Sequence, residues 1–118
     1  MLTFLLDDVG IPSNYMHMPG FGVHTFVLVN SSGERTYVKF HWVPEQPIEN
    51  LHDSQKAIQV GGEDFSHATH ALINAIDAGQ YPAWKLCIQM MNPKTELNQS
   101  WGDPLDATKT WPEEEYPL

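Results

Sequence analysis

The sequence is poor in cysteine and in basic residues, and it has no long apolar run. Cys87 is the one cysteine among the 118 residues, which excludes an internal disulfide and a zinc or iron–sulfur site built from several cysteines. Six Lys and Arg stand against 15 Asp and Glu, and the formal charge of −9 argues against nucleic acid or an anionic membrane surface as a partner. No run reaches the ~18 apolar residues that a membrane-spanning helix needs.

The remaining composition is typical of a single folded domain. Apolar residues make up 42% of the chain, which is too much for a disordered acidic tail. The length fits one domain, since domains usually have ~100–150 residues. The apolar residues 1–6 have no basic segment before them and are followed by Asp7 and Asp8, so we do not expect them to form a signal peptide. We therefore expect a soluble intracellular protein.

Two adjacent stretches predict a β-hairpin. Residues 21–29 are β-branched and aromatic, which favours a buried strand. Residues 35–42 alternate between apolar and polar side chains, which predicts a second strand. A two-residue turn at Ser32 and Gly33 would place His24 opposite His41.

Two helices and a third strand follow the hairpin. Asp53 or Ser54 can cap a short helix that ends near Val60, before the glycines at 61 and 62. Asp64 or Ser66 can cap a second helix that Gly79 ends. Residues 84–91 alternate again and predict the third strand.

The predicted fold class is therefore α+β, with about three strands and two helices. Three strands do not close a barrel, and the third strand leaves an unpaired edge. From Asn92 onward the sequence has no period, and a tail of about 25 irregular residues is unusual in a self-contained domain. These features indicate a piece of a larger structure.

The histidines are the candidates for a metal site. His67 and His70 share a helix face, but no third ligand lies beside them, so solvated side chains are the favoured interpretation. The hairpin brings His24 and His41 together, where they could ligate a metal or line a polar pocket, and the second role is favoured. This pair supports one functional hypothesis, a non-catalytic β-hairpin binding module with a metal or ligand site.

Four collinear stretches resemble one known family. The first is residues 7–12 (Asp-Asp-Val-Gly-Ile-Pro), with 15–18 and 22–26 (Gly-Val-His-Thr-Phe), and the second is 37–42 (Tyr-Val-Lys-Phe-His-Trp). The third is 79–84 (Gly-Gln-Tyr-Pro-Ala-Trp) with 88–89, and the fourth is 103–112 (Asp-Pro-Leu-Asp-Ala-Thr-Lys-Thr-Trp-Pro). In this order and spacing they resemble the monofunctional haem catalases, most closely the small-subunit, plant-type peroxisomal branch.

The resemblance implies haem-dependent dismutation of hydrogen peroxide to water and oxygen by a homotetrameric, peroxisomal enzyme. It implies that residues 1–118 are a single partial domain from the middle of the catalase core. That domain would be part of an antiparallel β-barrel, with a hairpin over 21–42, a strand over 84–91, a two-helix insertion and an irregular wrapping C-terminal segment. The family's distal His and Asn and its proximal Tyr match no residue of this chain. No catalytic or metal-binding residue is therefore assigned, no targeting signal is found, and the segment alone is expected to be inactive.

The resemblance also implies a small set of cofactor contacts. Val23 and His24 match family positions that line the proximal side of the haem, and Ala107 matches a position that touches it. NADPH is not expected, because most positions of the animal-type NADPH site are substituted here, by Val9, Pro19, Val43 and Glu113, and only Trp111 remains. The carboxylate of Glu113 would repel the phosphates of a dinucleotide.

Overall fold

The computed structural model describes residues 7, 10–51, 54–94 and 101–118. The described chain is a mixture of two α-helices and a four-stranded antiparallel sheet, which confirms the α+β class. It divides into two compact units, one of residues 1–19 and 44–85 and the other of residues 20–43 and 86–118. Each unit is described by itself.

The second unit is built on the sheet. It contains β1 (Gly20–Phe21), β2 (Phe26–Val29) and most of β3 (Arg35–Pro44) and β4 (Trp84–Met91). β3 is central, because it pairs antiparallel with both β1 and β2 and also pairs with β4. The predicted strands over 35–42 and 84–91 are confirmed. The described strands form an open sheet, not a closed barrel.

The predicted strand over 21–29 is wrong in its continuity and in its burial. Residues 22–25 separate β1 from β2. The Gly22 amide donates to the Phe40 carbonyl oxygen at 2.8 Å, and a Cβ at Gly22 would lie 2.3 Å from that oxygen. The backbones therefore come too close here for any other residue. All four residues of β2 are exposed, because no described segment covers them.

The predicted hairpin register is wrong by one residue. Phe26 pairs with Val38 and Val29 pairs with Arg35, and the Asn30 amide donates to the Glu34 carbonyl at 3.0 Å. Residues 31–33 therefore form a three-residue loop and not a two-residue turn. The Oδ1 atom of Asn30 accepts from the amides of Ser32 and Glu34, both at 2.9 Å, which favours the wider loop. Gly33 adopts a φ of 79°, the left-handed conformation that such loops require.

The core of this unit lies on one face of the sheet. Met91 of β4 packs with Trp111 and Tyr116, and Tyr37 and Trp101 pack against this cluster. The rings of Trp111 and Tyr116 are 5.6 Å apart. Residues 101–118 contain neither helix nor strand, as predicted, and they cover this face of the sheet with aromatic side chains.

The first unit contains α1 (Ser54–Glu63), α2 (His67–Asp77) and a short 3-10 turn (Tyr15–His17). The predicted end of α1 near Val60 is wrong, because the Asp64 amide still donates to the Val60 carbonyl and the helix continues through the two glycines. A glycine inside a helix costs about 1 kcal/mol without breaking it. The predicted cap Asp53 lies outside the described residues.

The observed boundaries of α2 agree with those predicted from the sequence. Ser66 occupies the N-cap position and Gly79 follows the C-cap with a φ of 74°. The Ser66 side chain makes no capping bond; instead the Oδ1 atom of Asp64 accepts from the Ser66 amide at 3.0 Å. Among the described residues, no helix is long and apolar enough to cross a membrane.

Candidate functional site

A cavity of about 290 Å³ lies in the second unit, between the sheet and the segment that covers it. Lys39 and His41 of β3 and Gln89 of β4 form its polar side, and residues 107–111 form the opposite wall. Its volume is at the lower end of the roughly 300–1,000 Å³ that small-molecule sites occupy. Polar side chains on a sheet and an irregular wall together make this the best candidate site in the described part of the chain.

Lys39 is buried at the base of this cavity. Its side chain is 3% exposed, and its Nζ atom donates to the Lys109 carbonyl oxygen at 2.9 Å. The ammonium also lies 5.4 Å from the centre of the Trp111 ring, within reach of a cation–π interaction. Burial lowers the pKa of Lys39, and the negative charge of Asp106 partly opposes this effect.

Gln89 connects the sheet to the covering segment. Its Nε2 atom donates to the Tyr116 carbonyl at 2.6 Å and to the Trp111 carbonyl at 3.5 Å. These acceptors fix the orientation of the amide, so its Oε1 atom faces His41 Nε2 at 2.9 Å. In its neutral form, His41 therefore has its hydrogen on Nε2 and donates a hydrogen bond to the Gln89 oxygen. The buried Nδ1 atom of His41 has no partner among the described residues.

Two consecutive turns form the irregular wall. The Asp106 amide donates to the Asp103 carbonyl, and the Lys109 amide donates to the Asp106 carbonyl, both at 3.0 Å. The Asp106 carboxylate accepts from the hydroxyl of Thr108 at 2.7 Å and from its amide at 2.9 Å. These two bonds lower the pKa of Asp106, and the charges of Lys109 and Lys39 lower it further. At neutral pH the turn therefore contains an ionised carboxylate.

The structure brings together two of the three predicted haem contacts. Val23 and Ala107 both line the cavity, and Val23 is 51% exposed. His24 is exposed in the segment between β1 and β2, and it is not among the residues that line the cavity. The proposed contact of these residues with haem stays a prediction.

The predicted His24/His41 pair does not form. The one-residue shift in register removes the cross-strand contact, and β2 begins at Phe26, after His24. His41 instead pairs with Gln89 and lies 6.0 Å from the Phe21 ring, edge to face. Among the described residues no group of three or more His, Cys, Asp or Glu could hold a metal ion. The hypothesis of a hairpin binding module with this pair is therefore not supported.

His67 and His70 serve separate structural contacts in the first unit. His67 Nε2 lies 2.8 Å from the Ser13 carbonyl, and His70 Nδ1 lies 2.5 Å from the Asp64 carboxylate. The bond from His70 is the main cause of the lowered pKa of Asp64. Both imidazoles thus have protein partners. The His70 side chain is 60% exposed, as the sequence favoured, whereas His67 is half-buried.

A second cavity of about 300 Å³ lies in the first unit and contains none of the predicted site residues. His17 at its edge places Nδ1 2.6 Å from the Pro47 carbonyl and Nε2 3.5 Å from Glu49. These contacts join the 3-10 turn to the segment that follows β3.

Lys39 and Gln89 are the site residues that the sequence did not single out. The signal that could have found them is the alternation of apolar and polar residues in the two predicted strands, which places each of them on the polar face of its strand. If β3 and β4 pair, those two polar faces become one face of the sheet. An irregular tail with unpaired carbonyls, covering that face, needs donors of this kind.

The comparisons with known proteins agree on one family. The Catalase family model matches residues 1–118. Catalase isozyme 2 of Solanum lycopersicum is 55% identical over 118 residues, which are 100% of this chain and 24% of that protein. The chain therefore spans about a quarter of the length of the curated relatives it matches.

Solved structures show the same fold. A bacterial catalase aligns with a TM-score of 0.91 and 36% identity over 99% of this chain and 22% of its own. Catalase A from Saccharomyces cerevisiae aligns with a TM-score of 0.91 and 32% identity, over 99% of this chain and 24% of its own.

Proposed function

Because this chain belongs to the catalase family, we propose that it takes part in the haem-dependent dismutation of hydrogen peroxide to water and oxygen. In this reaction one peroxide is reduced to water while a second is oxidised to oxygen. The observation that carries the proposal is the match of the family model to the whole chain, residues 1–118. The relatives named as catalases, at about half identity over the same residues, support it.

The positions of two described residues support the proposed contact with haem. Haem presents a broad apolar face, and the exposed, apolar side chains of Val23 and Ala107 lie on one cavity where such a face can be contacted. When bound, haem would supply the redox chemistry at its iron. The role proposed for Val23, His24 and Ala107 is contact with the haem, because these are the positions that the family resemblance assigns to the lining of its pocket and not to the ligand of its iron.

The sheet supports a finer proposal about architecture. One of its faces carries apolar side chains that remain exposed although they lie in strands: Phe26, Leu28, Leu86, Ile88 and Met90. The covering segment lies against β3 and β4 on one face only, and a sheet with such an open apolar face is suited to pack against further strands. We therefore propose that these strands belong to an antiparallel β-barrel in the complete enzyme, which we expect to be a peroxisomal homotetramer.

The test of the proposed function is an exchange of segments. The 118 residues replace their counterpart in tomato catalase isozyme 2, which is 55% identical over this stretch. We expect the exchanged enzyme to bind haem and to evolve oxygen from hydrogen peroxide at a rate close to that of the tomato enzyme. The unmodified tomato enzyme is the positive control.

The Soret band and the oligomeric state of the exchanged enzyme distinguish a failure to fold from a loss of activity. An exchanged enzyme that has the normal Soret band and oligomeric state but evolves no oxygen contradicts the proposal. The 118-residue chain alone, with added haem, should evolve little oxygen, because acid–base and electrostatic groups act only when they are positioned together around the iron.

A further inference from the structure

Side-chain donors hold the segment that forms the wall of the cavity. Residues 103–111 form turns and no helix or strand, so their carbonyl groups need donors other than those of a helix or a sheet. Thr25 Oγ1 and Trp111 Nε1 donate to the Pro104 carbonyl, at 2.6 Å and 3.2 Å, and hold the beginning of this segment. Lys39 Nζ donates to the Lys109 carbonyl and holds the end of the second turn.

The contact of Lys39 is costly to lose. A buried ammonium without a partner pays the full cost of its lost hydration. Around Lys39 the compensating groups all belong to one short segment: the Lys109 carbonyl, the Trp111 ring and the nearby negative charge of Asp106. Movement of this segment away from the sheet would leave the charge without these partners, so the ammonium ties the segment to β3.

Ala107 lies inside the turn that Lys39 holds. The turn runs from Asp106 to Lys109 and is closed by the bond from the Lys109 amide to the Asp106 carbonyl. Fixing the Lys109 carbonyl relative to the sheet therefore fixes Ala107, two residues earlier, relative to Val23 on the other side of the cavity. We propose that Lys39 is a positioning residue: it holds the turn of residues 106–109, and through it the haem contact of Ala107. The haem contact in this inference rests on the proposed function, whereas the positioning of the turn does not.

The experiment compares Lys39→Met with Lys85→Met in the full 118-residue chain. The first variant removes the buried donor and its charge, whereas the second removes an exposed lysine of β4 that does not line the cavity. Amide hydrogen exchange of Thr108 and Lys109, measured by NMR, reports the turn. We expect exchange at these amides to be roughly tenfold faster or more in Lys39→Met and unchanged in Lys85→Met.

The amides of β2 and β3 serve as the internal reference. Equal acceleration at these amides and at Thr108 and Lys109 means a general loss of stability and contradicts the proposal. Unchanged protection of the turn in Lys39→Met contradicts it as well. Lys39→Arg, which retains a charge and donors, should restore much of the protection.

A titration with hemin separates this inference from the proposed function. We expect the Soret shift to require roughly tenfold more hemin in Lys39→Met than in the wild type or in Lys85→Met. If wild-type chain gives no Soret shift but exchange in the turn accelerates as expected, the haem contact is wrong and the positioning role stands.

A measurement on the wild type covers the case in which Lys39→Met does not fold. The ε-methylene protons of Lys39 should resonate upfield of those of exposed lysines, because they lie near the Trp111 ring. Unshifted resonances would place the ammonium away from the segment and overturn the proposal.

Discussion

Gln89 Nε2 donates to the Tyr116 carbonyl oxygen at 2.6 Å, across 27 positions of the sequence. The same amide bonds to His41 and to the Trp111 carbonyl, so one buried side chain joins two strands to the irregular segment that covers them. In the second unit, side chains of the sheet thus supply hydrogen bonds that regular secondary structure supplies elsewhere.

Replacing Gln89 with Leu should lower the free energy of unfolding by about 2–3 kcal/mol. The substitution removes the Gln89 amide from the Tyr116 carbonyl and from His41 Nε2 in a buried region, and the loss of a buried hydrogen-bond partner costs about 1–3 kcal/mol. Urea unfolding followed by tryptophan fluorescence measures the change. Gln59→Leu, on the exposed surface of α1, is the matched control and should change stability by no more than about 0.5 kcal/mol. Equal effects of the two substitutions would show that the bond to Tyr116 contributes nothing.

Gly22→Ala should destabilise the protein, because the new Cβ atom would lie 2.3 Å from the Phe40 carbonyl oxygen. Relief of this overlap requires a shift of the backbone, at a cost of about 1–3 kcal/mol. Gly61→Ala is the control: its Cβ meets no atom within 4 Å, and alanine in a helix is favoured over glycine by about 0.5–1 kcal/mol. Thermal unfolding should therefore show a lower Tm for the first variant and a higher Tm for the second. A Gly22→Ala variant as stable as the wild type would contradict the observed approach of the two backbones.

Asn30→Ala should weaken the hairpin loop by about 1 kcal/mol, since the Asn30 Oδ1 atom accepts from two backbone amides. Chemical denaturation measures the loss, and Asn74→Ala, on the exposed side of α2, should be neutral or slightly stabilising. If the loop were the two-residue turn that the sequence suggested, Asn30 would lie outside it and its removal would have no effect.

Acid should remove part of the stability through Asp106. The folded state lowers the pKa of Asp106 below its ordinary value of 3.8, so this group stabilises the fold above that pH and loses its contribution as the pH falls through the lowered value. The difference in unfolding free energy between wild type and Asp106→Asn should therefore shrink from pH 5 towards pH 2. Thr108→Val, which removes the hydroxyl bond alone, should show part of this pH dependence. A difference that stays constant over this range would contradict the role of the ionised carboxylate.

NADPH should not bind to the chain. The Glu113 carboxylate lines the cavity beside Trp111, where it would repel the phosphates of a dinucleotide. Of the substituted positions, Pro19 and Val43 have no charge to offer a phosphate, and Val9 lies outside the described residues. Isothermal titration calorimetry tests the prediction, and binding with a micromolar Kd would refute it.

Local patterns were sufficient to predict part of the fold. β3 and β4 alternate over most of their length, and α2 is bounded by Ser66 and Gly79, so their positions follow from sequence periodicity and turn residues. The register of the hairpin could not be predicted in the same way. It depends on the hydrogen bonds of the Asn30 side chain in the loop, and the residue pattern of the strand over 21–29 does not reveal them.

The candidate site was harder to predict, because it depends on contacts between distant residues. Lys39 and Lys109 are separated by 70 positions, and the alternation of β3 places Lys39 on a polar face without showing that this face is buried. Val23 and Ala107 were predicted from family resemblance, and the structure places them on one cavity. No local sequence pattern around either residue would have predicted that the two line the same cavity.

The haem contact is tested most directly by oxygen evolution from the exchanged tomato catalase with Ala107→Asp. A carboxylate at the cavity wall would face an apolar ligand and lose its hydration, so we expect the Soret absorbance per subunit and the rate of oxygen evolution to fall together by roughly 5- to 150-fold, as about 1–3 kcal/mol of desolvation implies. Ala78→Asp, at the exposed end of α2, should retain both. Full haem content and full oxygen evolution in the Ala107→Asp enzyme would contradict the assignment of this cavity to the haem.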